Sequence, residues 1–214
     1  MKSLKTAIAI LGVLALSACV TGTRKIELSV PESVSTNDKS GEVYIDTISD
    51  NRVFEAKPSD PSTPSVNGDL NSLSKDQLAQ LIGRQRNGYG KAMGDVSLPD
   101  GQSVVDETRD LLAKGLQSRG YTVSNNSNAP IKIDAAIDKF WGWFSPGFWS
   151  VSFETRISTN LEVKTKDGVK TVLVEGYGRN NGQVASDANW QLAFSRGFTD
   201  FLSKLDQALS EMGL

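Results

Sequence analysis

The clearest pattern in this 214-residue chain runs from Val151 to Thr165, where Val151, Phe153, Thr155, Ile157, Thr159, Leu161, Val163 and Thr165 hold every odd position. Ser, Glu, Arg, Ser, Asn, Glu and Lys hold the even ones. Strict period two predicts a half-buried strand with an antiparallel partner. Asp167-Gly168 is predicted as a two-residue turn. Counting back from it pairs Val172 with Val163 and Val174 with Leu161, and gives a returning strand of about Val169–Gly178 with its valines on the buried face. From Trp190 to Met212 the apolar residues recur every three or four positions: Trp190, Phe194, Phe198, Phe201, Leu205, Leu209 and Met212. That spacing predicts a long amphipathic helix whose aromatic stripe packs on the sheet.

Weaker signals fill in the rest. Ser103 with Asp106 caps a helix carrying Val104, Val105, Thr108, Leu111, Leu112 and Leu116, and Gly120 stops it. Ser74 with Gln77 forms a capping box for a helix whose apolar face is Leu78, Leu81 and Ile82. Short alternations at Val43-Ile45-Thr47, Tyr121-Thr122-Val123 and Ile131-Ile133-Ala135-Ile137 predict further strands. Prolines 58, 61 and 64 mark a long Pro/Ser-rich loop over 58–72. The predicted fold class is α+β: a two-layer sandwich of a mostly antiparallel sheet with a long β-hairpin, packed by helices including the C-terminal one. The predicted domain is residues 41–214. Residues 19–40, polar apart from Ile26-Leu28-Val30, are expected to be a tether or one strand.

Composition narrows the chemistry. There is no histidine and one cysteine, Cys19. Histidine-dependent triads, Cys-His nucleophiles, zinc fingers and intrachain disulfides are thereby excluded. Residues 1–18 read as a signal peptide, with Lys2 and Lys5 as a basic start, Ala7–Leu16 as an apolar stretch, and Ser17-Ala18 as a small-residue cleavage context. Leu16-Ser17-Ala18-Cys19 resembles the lipobox of bacterial lipoproteins, which implies that Cys19 is acylated and becomes the mature N-terminus. Three acyl chains hold a protein at a bilayer where one does so only marginally. Val20 stands where an Asp favours inner-membrane retention in Gram-negative lipoproteins, so the expected location is the outer membrane, with the body in the periplasm. Cleavage takes the formal net charge from −2 to −4, which argues against nucleic acid as a partner.

Few motifs invite a catalytic reading. Gly88-Tyr89-Gly90-Lys91 lacks the glycine and the Ser/Thr that a phosphate loop needs, although Arg84, Arg86 and Lys91 beside it are candidates for contact with an anion or a partner. Asp134 and Asp138 read as solvated neighbours on one strand face, and no Ser-Lys pair marks a site. The expectation is therefore no catalytic residue, metal or cofactor, and not an enzyme. Phe140, Trp141, Trp143, Phe144, Phe148 and Trp149 form an aromatic cluster around Pro146-Gly147. It is either a local core or an exposed patch. Exposed, Trp141, Trp143, Phe144, Phe148 and Trp149 are candidate partner-binding residues.

With the lipobox, the strand entering Asp46-Thr47-Ile48-Ser49-Asp50-Asn51-Arg52, the helix end Gln117-Ser118-Arg119-Gly120-Tyr121, and the long hairpin followed by a C-terminal helix, the chain resembles the YajG-like uncharacterised outer-membrane lipoproteins of proteobacteria. The resemblance implies an envelope lipoprotein and carries over no catalytic residue. Arg84–Lys91 and the aromatic hairpin depart from its shorter members. The expected function is that of a non-catalytic, lipid-anchored periplasmic domain that binds an envelope protein. The alternative is a carrier or sensor of an amphipathic ligand, lipid or glycan, held between sheet and helices.

Overall fold

The long alternating run becomes the middle of a hairpin within one mixed sheet. A computed structural model of the protein describes residues 22–33, 39–86, 91–146, 150–182 and 186–214. The signal segment with Cys19, the Gly88–Gly90 run, Phe148 and Trp149 lie outside the described residues. The strands are β1 (Arg24–Lys25), β2 (Glu42–Asp50), β3 (Leu81–Arg86), β4 (Ala92–Ser97), β5 (Thr122–Ser124), β6 (Ile131–Pro146), β7 (Val151–Thr165) and β8 (Gly168–Gly182). The helices are α1 (Lys75–Gln80), α2 (Val104–Ser118) and α3 (Asp187–Glu211). The architecture is α+β, as the patterns predicted, with an open sheet that is mixed, so the expectation of a mostly antiparallel sheet holds only in part: β3 with β4, β6 with β7 and β7 with β8 run antiparallel. β1 with β4, β2 with β5, β2 with β6 and β3 with β6 all run parallel. Hydrophobic periodicity fixes which face a strand buries and says nothing about the direction of its neighbours.

β6 is the hub. One of its edges pairs with β7 along its whole length, while the other is shared, with β2 on its first half and β3 near its end. β7 pairs with β8, which forms an edge of the sheet. The predicted register of this hairpin needs correction: Val163 pairs with Lys170 and Leu161 with Val172. The loop closes at Thr165 and Gly168 around Lys166-Asp167, and Gly168, at φ +122°, takes the left-handed conformation. A slip of two residues leaves every side chain on its face, so Val172 and Val174 turn inward as expected although their partners differ.

On the inner face α3 lies along β8 and buries Trp190, Phe194, Phe198, Phe201, Leu205 and Leu209. Gly176 and Gly178 permit this approach, since a Cβ at either would meet the helix backbone near Gly197. Both capping boxes form as predicted. The first helix, however, ends at Gln80. Leu81 and Ile82 begin β3 and point to opposite faces, Ile82 into the main core and Leu81 into a second one. Residues 22–33 are docked, not loose: Ile26 and Leu28 are buried and Gly22 packs on Gly94. The tether reading therefore does not hold for them.

The outer face of β6 explains both the Pro/Ser-rich loop and the aromatic cluster. A bulge between Ile137 and Lys139 sets Asp138 out of register. Before it, Ile133, Ala135 and Ile137 face the main core; after it, Phe140 does, stacking on Phe194 at 5.8 Å. Trp141 and Trp143 consequently turn to the other face. There, residues 54–78 cross over them and build a second core of Val66, Leu81, Trp141 and Trp143, flanked by Phe54, Leu70, Leu73 and Leu78. Arg52 pins this cover. It donates to the carbonyls of Leu78, Leu81 and Phe140, pairs with Asp50, and lies 5.1 Å from the Phe54 ring centre. The sheet is locally sandwiched on both sides.

Candidate functional site

Burial separates the candidate residues into two groups. Trp141 and Trp143 are covered, and the Trp141 indole N–H donates to the Pro61 carbonyl at 3.3 Å. Phe144 is half-buried against Phe153, edge to face at 5.5 Å. The alternation across the bulge thus yields the local-core outcome for these three, and the two indoles have no face left for a partner. Phe148 and Trp149 lie outside the described residues.

The cationic candidates come together instead. Arg84 and Arg86, two apart on β3, and Lys91, just before β4, line one pocket of about 370 Å³ with Lys57, Ser65 and Asn67. β3 and β4 pair antiparallel with an irregularity between Gln85 and Arg86, which brings the ends of both strands to the same rim. Lys57 and Asn67 arrive from the covering segment, through the pairing of Glu55 with Ser65. Sequence reasoning missed both, because nothing local ties residue 57 to residue 84. No carboxylate lines the pocket among the described residues.

Arg84 is 6% exposed and is part of the pocket lining. Its Nε lies 3.9 Å from Asp95 Oδ1, an ion pair too long for a hydrogen bond, and Nη2 reaches Asn67 Oδ1 at only 3.4 Å. Nε and the facing Asp95 oxygen therefore both lack a hydrogen-bond partner. Burial pulls the guanidinium pKa down; the Asp95 carboxylate opposes this and Arg86 adds to it. Burial likewise pushes Asp95 up, against the Asn67 N–H and Arg84. The pocket lining thus includes a buried cation whose donors are under-used.

A second feature is the outer edge of β8. The Tyr177 N–H points away from β7 and donates to Asp200 of α3 at 2.8 Å, and the Arg179 carbonyl accepts from Arg196 at 2.6 Å. The ladder with β7 has no bulge, so by parity Val169, Thr171, Leu173 and Glu175 also aim their N–H and C=O groups outward. Among the described residues nothing accepts or donates to them. Val169 and Leu173, 59% and 50% exposed, stand on the same side of the strand.

Asp134, Asp138 and Glu107 are set by their neighbours within the fold. Asp134 binds Lys164 and the Thr47 N–H, which hold its carboxyl below the usual range. Asp138 accepts from Asn160. The two carboxylates are thus engaged separately. Glu107, 8% exposed in the first turns of α2, is pushed up to about 7, by burial first and then by Asp110 and Asp106. Among the described residues no cluster of three metal-ligating side chains occurs and no helix is long and apolar enough to cross a membrane.

No family model matches the sequence, and no curated protein matches it. Among solved structures, the chain is similar to protein XCC0632 from Xanthomonas campestris, of the family DUF330, with 10% identity over 90% of this chain and 99% of that one, at a TM-score of 0.49. It is also similar to a protein described only as uncharacterized, with 7% identity over 89% of this chain and 99% of the other, at a TM-score of 0.47. At these values the likeness transfers neither residues nor activity.

Proposed function

We propose that the chain is a non-catalytic domain of the bacterial cell envelope, anchored by lipid on Cys19 to the outer membrane with its body in the periplasm, and that it works by binding a protein partner along the open half of β8. The lipobox-like Leu16-Ser17-Ala18-Cys19 and the resemblance to YajG-like lipoproteins support the address. The observation that carries the binding mode is the outward row at Val169, Thr171, Leu173 and Glu175, left open where Asp200 and Arg196 cover the rest of the edge. An unpaired row of alternating donors and acceptors fits one occupant, an extended segment of a partner that adds as a further strand. The exposed Val169 and Leu173 offer that segment apolar contact.

Replacing Thr171 by proline tests this. It removes one outward N–H while leaving the β7 ladder donors intact, a substitution edge strands tolerate. The expected outcome is an intact fold with loss of the envelope protein that co-purifies with the wild-type chain. Unchanged co-purification, or an edge occupied by a second copy, counts against the reading.

The alternative, an amphipathic ligand between sheet and helix, meets a space filled by Trp190, Phe194, Phe198 and Phe201. What favours it is an apolar opening of about 280 Å³ beyond the end of α3, lined by Ile131, Val163, Met212 and Leu214. Recovery of a bound lipid or glycan from the purified protein would support it.

A further inference from the structure

We infer that the pocket over Arg84 is a binding site for a phosphate group, held at the membrane surface. Four cations, Lys57, Arg84, Arg86 and Lys91, line it, and no carboxylate does among the described residues. Among these cations, Arg84 is 6% exposed; its Nε is buried facing Asp95 at 3.9 Å, and its Nη2 has only a long 3.4 Å contact, with Asn67 of the same pocket lining. Ser65 and Asn67 add neutral polar groups at the wall. Phosphate oxygens accept several charge-assisted hydrogen bonds at once, and a guanidinium fork matches them in geometry. Its volume, about 370 Å³, exceeds what one phosphate needs and leaves room for the group that bears it.

The location follows from chain length. Gly22 packs directly on Gly94 of β4, and Ala92, two residues along that strand, is part of the pocket wall. Two strand residues span about 7 Å. The three steps from Cys19 to Gly22 span at most about 11 Å. A lipid on Cys19 therefore keeps the pocket close to the polar headgroup layer, which is itself several ångströms deep. The net charge of the mature chain is negative, yet the lining of this pocket carries four cations and, among the described residues, no carboxylate. The bearer of the phosphate is a lipid headgroup or a soluble phosphate compound, and the chemistry of the pocket is the same for both. Only the location rests on the lipid anchor; the phosphate chemistry stands on the pocket alone.

The test uses the full chain isolated from membranes in detergent, titrated with inorganic phosphate by calorimetry against chloride at equal ionic strength. Saturable phosphate binding is expected, weakened about tenfold for each cation removed in Lys57→Ala and Lys91→Ala. Both are rim residues, and unchanged unfolding curves show that the variants fold. No phosphate binding, or equal binding by the double variant, overturns the site. In a second arm the protein is placed in discs of phosphatidylcholine with and without phosphatidylglycerol. Slower amide exchange at Arg84–Arg86 with the anionic lipid, lost in the double variant, supports a headgroup as the bearer. Phosphate binding without that response supports a soluble compound. The intact mass of the same protein reads the acyl groups on Cys19 independently, so failure of the anchor and failure of the pocket are told apart.

Discussion

Replacing Trp141 by alanine asks whether the aromatic cluster is a core or a docking surface. The indole is fully buried, edge-on to Phe54 at 5.8 Å and enclosed by Val66 and Leu81. Truncating a buried Trp removes its transfer free energy and leaves a cavity, together about 3–5 kcal/mol. The indole N–H to Pro61 contributes about 1 kcal/mol of net hydrogen bonding. The cover over 54–78 relaxes more readily than a strand, which favours the lower half of the range, about 3–4 kcal/mol. A domain of this size has roughly 5–15 kcal/mol in total, so the loss is readily seen. Urea unfolding followed by circular dichroism measures it, with Leu173→Lys on the exposed face of β8 as a control expected within about 0.5 kcal/mol of wild type. A loss under 1 kcal/mol for Trp141→Ala would refute the second core and return the indole to the surface.

Two further outcomes follow from packing and titration. Glu107, with its pKa at about 7 in the fold and near 4.3 in the unfolded chain, binds its proton more tightly when folded. Its stabilising contribution is therefore fully present below about pH 4 and is lost as pH rises through about 7. Glu107→Gln is expected to raise stability at pH 8 by about 1–3 kcal/mol and to flatten the slope between pH 5 and 7, as read from unfolding midpoints. Gly178→Ala would set its Cβ on the Ala193 carbonyl and the Gly197 amide. A loss of about 3 kcal/mol or more is expected, because helix backbone, not a flexible side chain, must move.

How far the sequence revealed this molecule depends on whether the deciding contact was local. The β7 alternation, the Trp190–Met212 stripe and the Ser74 and Ser103 capping boxes are properties of neighbouring residues, and each appears where the pattern put it. Strand direction was hidden, because β2 meets β5 and β6 through connections whose course no period records. The bulge at Asp138 was hidden too. A single extra residue exchanges faces and so decides that Phe140 joins one core while Trp141 and Trp143 join another. The same long-range closure made the Pro/Ser-rich segment a lid over those indoles and brought Lys57 to Arg84. Arg84, Arg86 and Lys91 were legible as a basic cluster, but Asp95 and Asn67, which set the state of Arg84, were not. The open half of β8 became visible only once Asp200 and Arg196 were seen to cover the other half.

Amide hydrogen exchange on the full chain, alone and in its native envelope, tests the binding edge most directly. In the isolated protein the outward amides of Val169, Thr171, Leu173 and Glu175 should exchange quickly, and Tyr177, held by Asp200, slowly. In the envelope the four should become protected while Tyr177 stays unchanged. Protection of all five amides in the isolated chain, or none at the four in the envelope, would contradict strand addition at β8.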